Sequence, residues 1–169
     1  MTLNKIPQPV IARVHGIATA AGCQLVGACD LAVASEDARF ATSGINVGLF
    51  CSTPSVPVSR NIPRKQAMEL LLTGEFIDAN TALKWGLINR IAPLEKLDEE
   101  VQKLADAILS KSSVAVFTGK KMFYKQLEKN MEDAYAFAGE IMACNMMAED
   151  VNEGIDAFVK KRTAVWKGR

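Results

Sequence analysis

The sequence predicts an α/β protein that continues into a helical C-terminal subdomain. Up to about residue 110, short β-branched runs alternate with helical patterns. From Lys111 onward only helical periodicity remains. The chain has 169 residues, of which 49% are hydrophobic and 23% charged, a balance that suits one sizeable soluble core. The expected division is an α/β part over 1–110 and a helical part over 111–169.

The opening decapeptide, MTLNKIPQPV, resembles neither a signal peptide nor an Arg/Ser-rich transit peptide. It leads directly into Val10-Ile11-Ala12-Arg13-Val14, a β-branched run that ends at Gly16 and reads as a strand. So abrupt a start leads us to expect an earlier segment upstream. Ile17 to Gly22 reads as a small-residue turn feeding a helix from Ala21 to Cys29. A second buried strand follows at Leu31 to Ala34, and a third element at Ala38 to Ala41. From Gly44 to Ser59 the richness in Gly, Ser, Thr and Pro reads as a long functional loop. Pro63 sits at a first helical position, and the helix through Met68, Leu70 and Leu71 ends at Gly74. Asp78 caps a short helix that stops at Gly86, and Leu87 to Ile91 reads as a strand. Leu97, Val101, Leu104, Ala105 and Ile108 recur at helix spacing, as do Met131, Ala134, Tyr135, Ala138 and Met142.

Composition excludes several functions. A net charge of +1, with no stripe of Lys and Arg interleaved with aromatics, leaves no expected affinity for nucleic acid or an anionic membrane. The least polar stretch, Ile17 to Ala34, contains Thr19, Gln24 and Asp30. A membrane helix needs about 20 strongly apolar residues. The four cysteines, Cys23, Cys29, Cys51 and Cys144, have no CxxC spacing, and His15 is the single histidine, so no metal site is expected. They read as reduced, mostly buried thiols of the cytosol or an organelle matrix.

The stretch His15 to Asp30, HGIATAAGCQLVGACD, joins a strand to a helix through small residues. The first amides of a helix lack intrahelical partners and lie at the positive end of its dipole. At Ala21 and Gly22 a ligand carbonyl could approach those amides closely, the geometry of an oxyanion hole. The same small residues more often serve close packing, and the residues alone favour that reading. Asp30, before a buried strand, reads as a structural acceptor of backbone hydrogen bonds.

Three separated segments carry a resemblance. PVIARVHGIATAAGCQLVGACDLAVASEDARFAT, IPRKQAMELLLTGEFIDANTALKWGLINRIAP and the closing GIDAFVKKR resemble the crotonase (enoyl-CoA hydratase/isomerase) superfamily over essentially the whole chain. FATSGINVGLFCSTP resembles a mitochondrial branch of it. The resemblance implies a crotonase-like ββα spiral, here its C-terminal part, without the N-terminal segment that supplies the first strands and a second oxyanion amide. It implies a C-terminal trimerisation subdomain, a homotrimer or dimer of trimers, and a role in mitochondrial fatty-acid metabolism. Acyl-CoA is the implied substrate or ligand, with no separate cofactor. The oxyanion amide falls on Ala21, with Gly22 beside it.

The resemblance also locates the acid/base pair. The two hydratase glutamates belong where this chain has Gln24 and Gly44. Glutamine cannot exchange a proton near neutral pH, and glycine has no side chain. Each positioned acid or base is worth about 10²–10⁴-fold, so ordinary hydration is expected to be negligible. Thr19, Thr42, Ser43, Asn46, Cys51 and Ser52 are nearby polar groups whose types more often shape turns than catalyse. A Cys51–His15 nucleophile pair is disfavoured, because lone cysteines and histidines are usually packing residues. The basic tail reads as a solvated face. The resemblance instead places CoA, bound by a neighbouring subunit, against Met142, Phe158 and Lys161. A methionine there replaces adenine stacking with soft apolar contact. Two alternatives stay open: an active hydratase or isomerase that uses other residues, and a non-catalytic structural or regulatory subunit.

Overall fold

The computed structural model describes residues 2–169. The chain divides into two compact units. The first comprises Val10–Leu104, and the second joins Thr2–Pro9 to Ala105–Arg169.

The first unit is built from pairs of short strands followed by helices. Its strands are β1 (Ile11–Val14), β2 (Ile17–Thr19), β3 (Leu31–Ser35), β4 (Arg39–Ala41), β5 (Ile77–Asp78) and β6 (Arg90–Ala92). One sheet has the order β1-β3-β6 and is parallel throughout, pairing Ile11 with Leu31 and Val33 with Arg90. The other has the order β2-β4-β5, with Ile17 parallel to Arg39 and Arg39 antiparallel to Asp78. Parallel neighbours require a crossover. Helix α2 (Ala21–Ala28) makes the first, carrying the chain from β1 and β2 to β3 and β4. Val14, Cys23, Val26, Phe40, Val58 and Leu70 lie in the shared core. The Asp30 carboxylate accepts the Val10 N–H at 2.7 Å, the structural role expected of it.

The sequence expectations need three corrections here. Ile17 to Thr19 is strand, because β2 pairs with β4, and only Ala20 remains as the turn. Gly44 to Ser59 is no long loop. It holds a 3₁₀ turn over Ser43–Val47 and helix α3 (Ser52–Asn61), in spite of Pro57 in its interior. Tertiary packing outweighs the proline penalty. A Cβ placed on Gly27 would lie 3.3 Å from the Pro57 Cβ, so α3 seats its proline against a residue without a side chain. The Asn61 amide then donates to the carbonyls of Gly27 (2.8 Å) and Pro57 (2.7 Å). The last strand starts at Arg90 rather than Leu87. Leu87 and Ile88 are buried, and Asn89 clasps Ala32 through both its backbone N–H and its side-chain oxygen, each at 2.8 Å.

Helix α4 (Arg64–Thr73) ends on left-handed Gly74. Helix α5 (Ala79–Trp85) starts on the Asp78 cap and ends on left-handed Gly86. Both stops were legible as glycines. Helix α6 (Leu97–Leu109) begins in the first unit, where Glu100 pairs with Arg90 at 2.8 Å and Asp98 with Arg13.

The second unit is helical. A short helix α1 (Thr2–Lys5) opens it, and α7 (Ser113–Gln126), α8 (Met131–Asn145) and α9 (Glu149–Val159) follow α6. Lys120 on α7 donates to the carbonyls of Leu3 and Gln8, both at 2.8 Å, and so fastens the opening segment. Asp150 is 2% exposed and gathers the C-terminal tail. It accepts from Ser112 Oγ at 2.6 Å, Lys167 N at 2.7 Å and Gly168 N at 3.1 Å. No helix among the described residues is long and apolar enough to cross a membrane.

Candidate functional site

Strand β2 delivers the chain to Ala20, whose φ of 47° and ψ of −111° turn it abruptly into α2. A side chain at this φ is strained, and glycine would adopt it freely. The turn is held because Ala20 N donates to Ala41 O at 3.0 Å, while Ala20 O accepts the first helical bond from Gln24 N at 3.0 Å. The amides of Ala21, Gly22 and Cys23 therefore precede the first intrahelical bond, and no side chain caps them. Cys23 is fully buried, Gly22 half-buried and Ala21 exposed. The partial positive charge of these amides at the helix start suits a carbonyl oxygen that gains negative charge.

The end of β4 brings the 3₁₀ turn to the same place. The hydroxyls of Thr19 and Ser43 lie 2.7 Å apart. Next to Ser43, the space a side chain would need at Gly44 is already filled. A Cβ there would stand 2.7 Å from the Leu49 carbonyl oxygen and 2.8 Å from Cys51 Sγ. Leu49 is drawn in because its N–H donates to Gly44 O at 3.0 Å. Burial, and then the neighbouring Cys51, push the Cys23 thiol up to about 12, so it stays protonated. Gln24 is half-buried, and its carboxamide has no hydrogen-bond partner among the described residues.

The other polar candidates are engaged elsewhere. Thr42 is buried and donates to Leu70 O at 2.7 Å. Asn46 donates to Gly74 O at 3.4 Å, and Ser52 to Phe50 O at 3.4 Å. His15 is exposed after β1 whereas Cys51 is buried, and no hydrogen bond joins them. Among the described residues no group of three His, Cys, Asp or Glu side chains could hold a metal ion. Within the helical unit Met142 is 69% and Phe158 85% exposed, on α8 and α9, and Lys161 is exposed just after α9. No ring contact or hydrogen bond joins their side chains. The positive φ of Ala20 and the closeness of Cys23, Gly44 and Cys51 had no signature in the sequence.

The profile of the family described as enoyl-CoA hydratase/isomerase matches residues 1–169. The chain belongs to the enoyl-CoA hydratase/isomerase family. Rat mitochondrial enoyl-CoA hydratase domain-containing protein 3 is 51% identical to this family member over 166 residues, 98% of the chain and 55% of the rat protein. The crystal structure of human enoyl Coenzyme A hydratase domain-containing protein 3 superposes with a TM-score of 0.94 at 50% identity, covering 98% of the chain and 66% of the human one. Enoyl-CoA hydratase from Mycobacterium smegmatis gives 0.95 at 57% identity, covering 97% and 64%. The fold is thus the crotonase fold that the motifs implied. The chain spans about half the length of the curated relatives it matches.

Proposed function

We propose that this family member binds acyl-CoA thioesters without hydrating them, and acts in mitochondrial lipid metabolism. The carrying observation is the occupied space at Gly44. The second carboxylate of the hydratases has no room here unless the Leu49 backbone and Cys51 move. Gln24 removes the other carboxylate and leaves a group able only to orient water or ligand by hydrogen bonds. The uncapped amides of Ala21 and Gly22 keep the means to polarise a thioester carbonyl. Met142, Phe158 and Lys161 are assigned to CoA held by a neighbouring subunit of a homotrimer or dimer of trimers. Their exposure supports that assignment. The mitochondrial setting is supported by the rat and human relatives, whose names place them there.

The test is crotonyl-CoA hydration, followed as loss of the conjugated thioester absorbance, beside calorimetric titration with a non-hydratable acyl-CoA. Binding without measurable turnover is expected. Turnover within about tenfold of an ordinary hydratase would contradict the reading, because loss of each acid/base group should cost at least about 10²-fold.

A further inference from the structure

Helix α9 closes in an unusual way. Lys161 N donates to Phe158 O at 3.2 Å and Arg162 N to Ala157 O at 3.0 Å. These are the two crossed bonds of a Schellman cap, whose pivotal residue adopts left-handed backbone. Lys161 is that residue, at φ 51°. At α4 and α5 the chain gives the corresponding position to Gly74 and Gly86, which take it without strain. Here it holds a long cationic side chain instead.

The surrounding charges are unevenly shared. Lys160 pairs with Asp156 at 2.7 Å. Arg162 forks onto both oxygens of Glu153, at 2.6 and 2.8 Å, and onto Asp156 Oδ2 at 2.7 Å, and it donates to Thr163 O at 3.1 Å. Glu153 also accepts Val165 N at 2.7 Å. Chiefly through Arg162, the Glu153 carboxyl is lowered to about 2 and stays anionic. The carboxylates near the cap are thereby committed, and the Lys161 ammonium makes no ion pair among the described residues.

We propose that Arg162 is a positioning residue for ligand binding. Its fork on Glu153 and Asp156 holds the strained cap and keeps those carboxylates from Lys161, whose ammonium is left to meet a phosphate of CoA. The proposal rests on the reading of Lys161 as a CoA contact. A planar, bidentate guanidinium suits this task, and an ammonium cannot reproduce the fork.

The experiment titrates the full chain with CoA by calorimetry at two salt concentrations, with thermal melts in parallel. Lys161→Gly should weaken CoA by about tenfold, the scale of one charge-assisted hydrogen bond, flatten the salt dependence, and leave the melting midpoint equal or higher. Arg162→Gln should weaken CoA by a similar factor, and Arg162→Lys should not restore it. The double variant should bind no worse than Lys161→Gly, as expected of two residues acting through one contact. The proposal is overturned if the two losses multiply, or if Arg162→Gln lowers only the melting midpoint. If Lys161→Gly leaves CoA binding unchanged, the parent reading of Lys161 fails, and the proposal with it.

Discussion

A methyl group at position 44 would press on the Leu49 backbone oxygen, which cannot swing aside, and on the sulfur of buried Cys51. Gly44→Ala should therefore cost about 1–3 kcal/mol, the usual range for overpacking. The measurement is the urea midpoint at unchanged slope. A neutral substitution would show that the Leu49–Cys51 segment yields easily and would remove the steric argument at Gly44. The sequence reveals that Gly44 lacks a side chain. It does not reveal that the space beside it is filled, because Leu49 and Cys51 return to Gly44 only through the 3₁₀ turn. The amides of Ala21 and Gly22 were easier to foresee, since small residues between a strand and a helix leave the helix start open. Ala20 was harder. A glycine would have announced the positive-φ turn, and an alanine conceals it.

The helices expected from regular apolar spacing or from glycine and aspartate caps were legible, among them α4, α5, α6 and α8. Helix α3 was not, because its prolines and serines read as loop. Its stability comes from Pro57 fitting Gly27 and from Asn61 reaching back to α2, which no local pattern encodes. The tail after α9 was equally hidden. The basic residues read as a solvated face, whereas Arg162 is tied to Glu153 and the last residues are gathered by Asp150. Hydrogen bonds from Ser112, then from the Lys167 amide, with a further one from Gly168, hold the Asp150 carboxyl below its ordinary range. A depressed carboxylate contributes stability that is fully present above its unfolded value, about 3.9, and is lost as pH falls through the folded value. Asp150→Asn should lower the melting midpoint at neutral pH and flatten its decline below about pH 4. Thermal melts across that range provide the check. A variant whose acid profile matches the parent would mean that Asp150 does not couple the tail to protonation.

At the scale of the molecule, each unit exposes large apolar side chains. Val47 and Leu49 are exposed in the first unit, and Met131, Tyr135, Met147 and Phe158 in the second. The three-stranded parallel sheet also ends on β1 and β6 as unpaired edges. Such surface favours association. The chain is expected to scatter light as a species larger than its 18.3 kDa and to bind an apolar-sensitive dye. A monodisperse, dye-silent monomer would contradict this. The fold class was legible because alternation of strand and helix survives in short segments. The split into two sheets was not, since two- and three-residue strands such as β2 and β5 carry too few side chains to show a period. One fastening has a consequence in time. Lys120 supplies the ammonium that holds the carbonyls of Leu3 and Gln8. During synthesis the opening residues leave the ribosome more than a hundred positions ahead of that lysine. At about 5–20 residues per second they wait on the order of ten seconds for their partner. These carbonyls are therefore secured long after they are made, and the segment that carries them stays unfastened until α7 emerges.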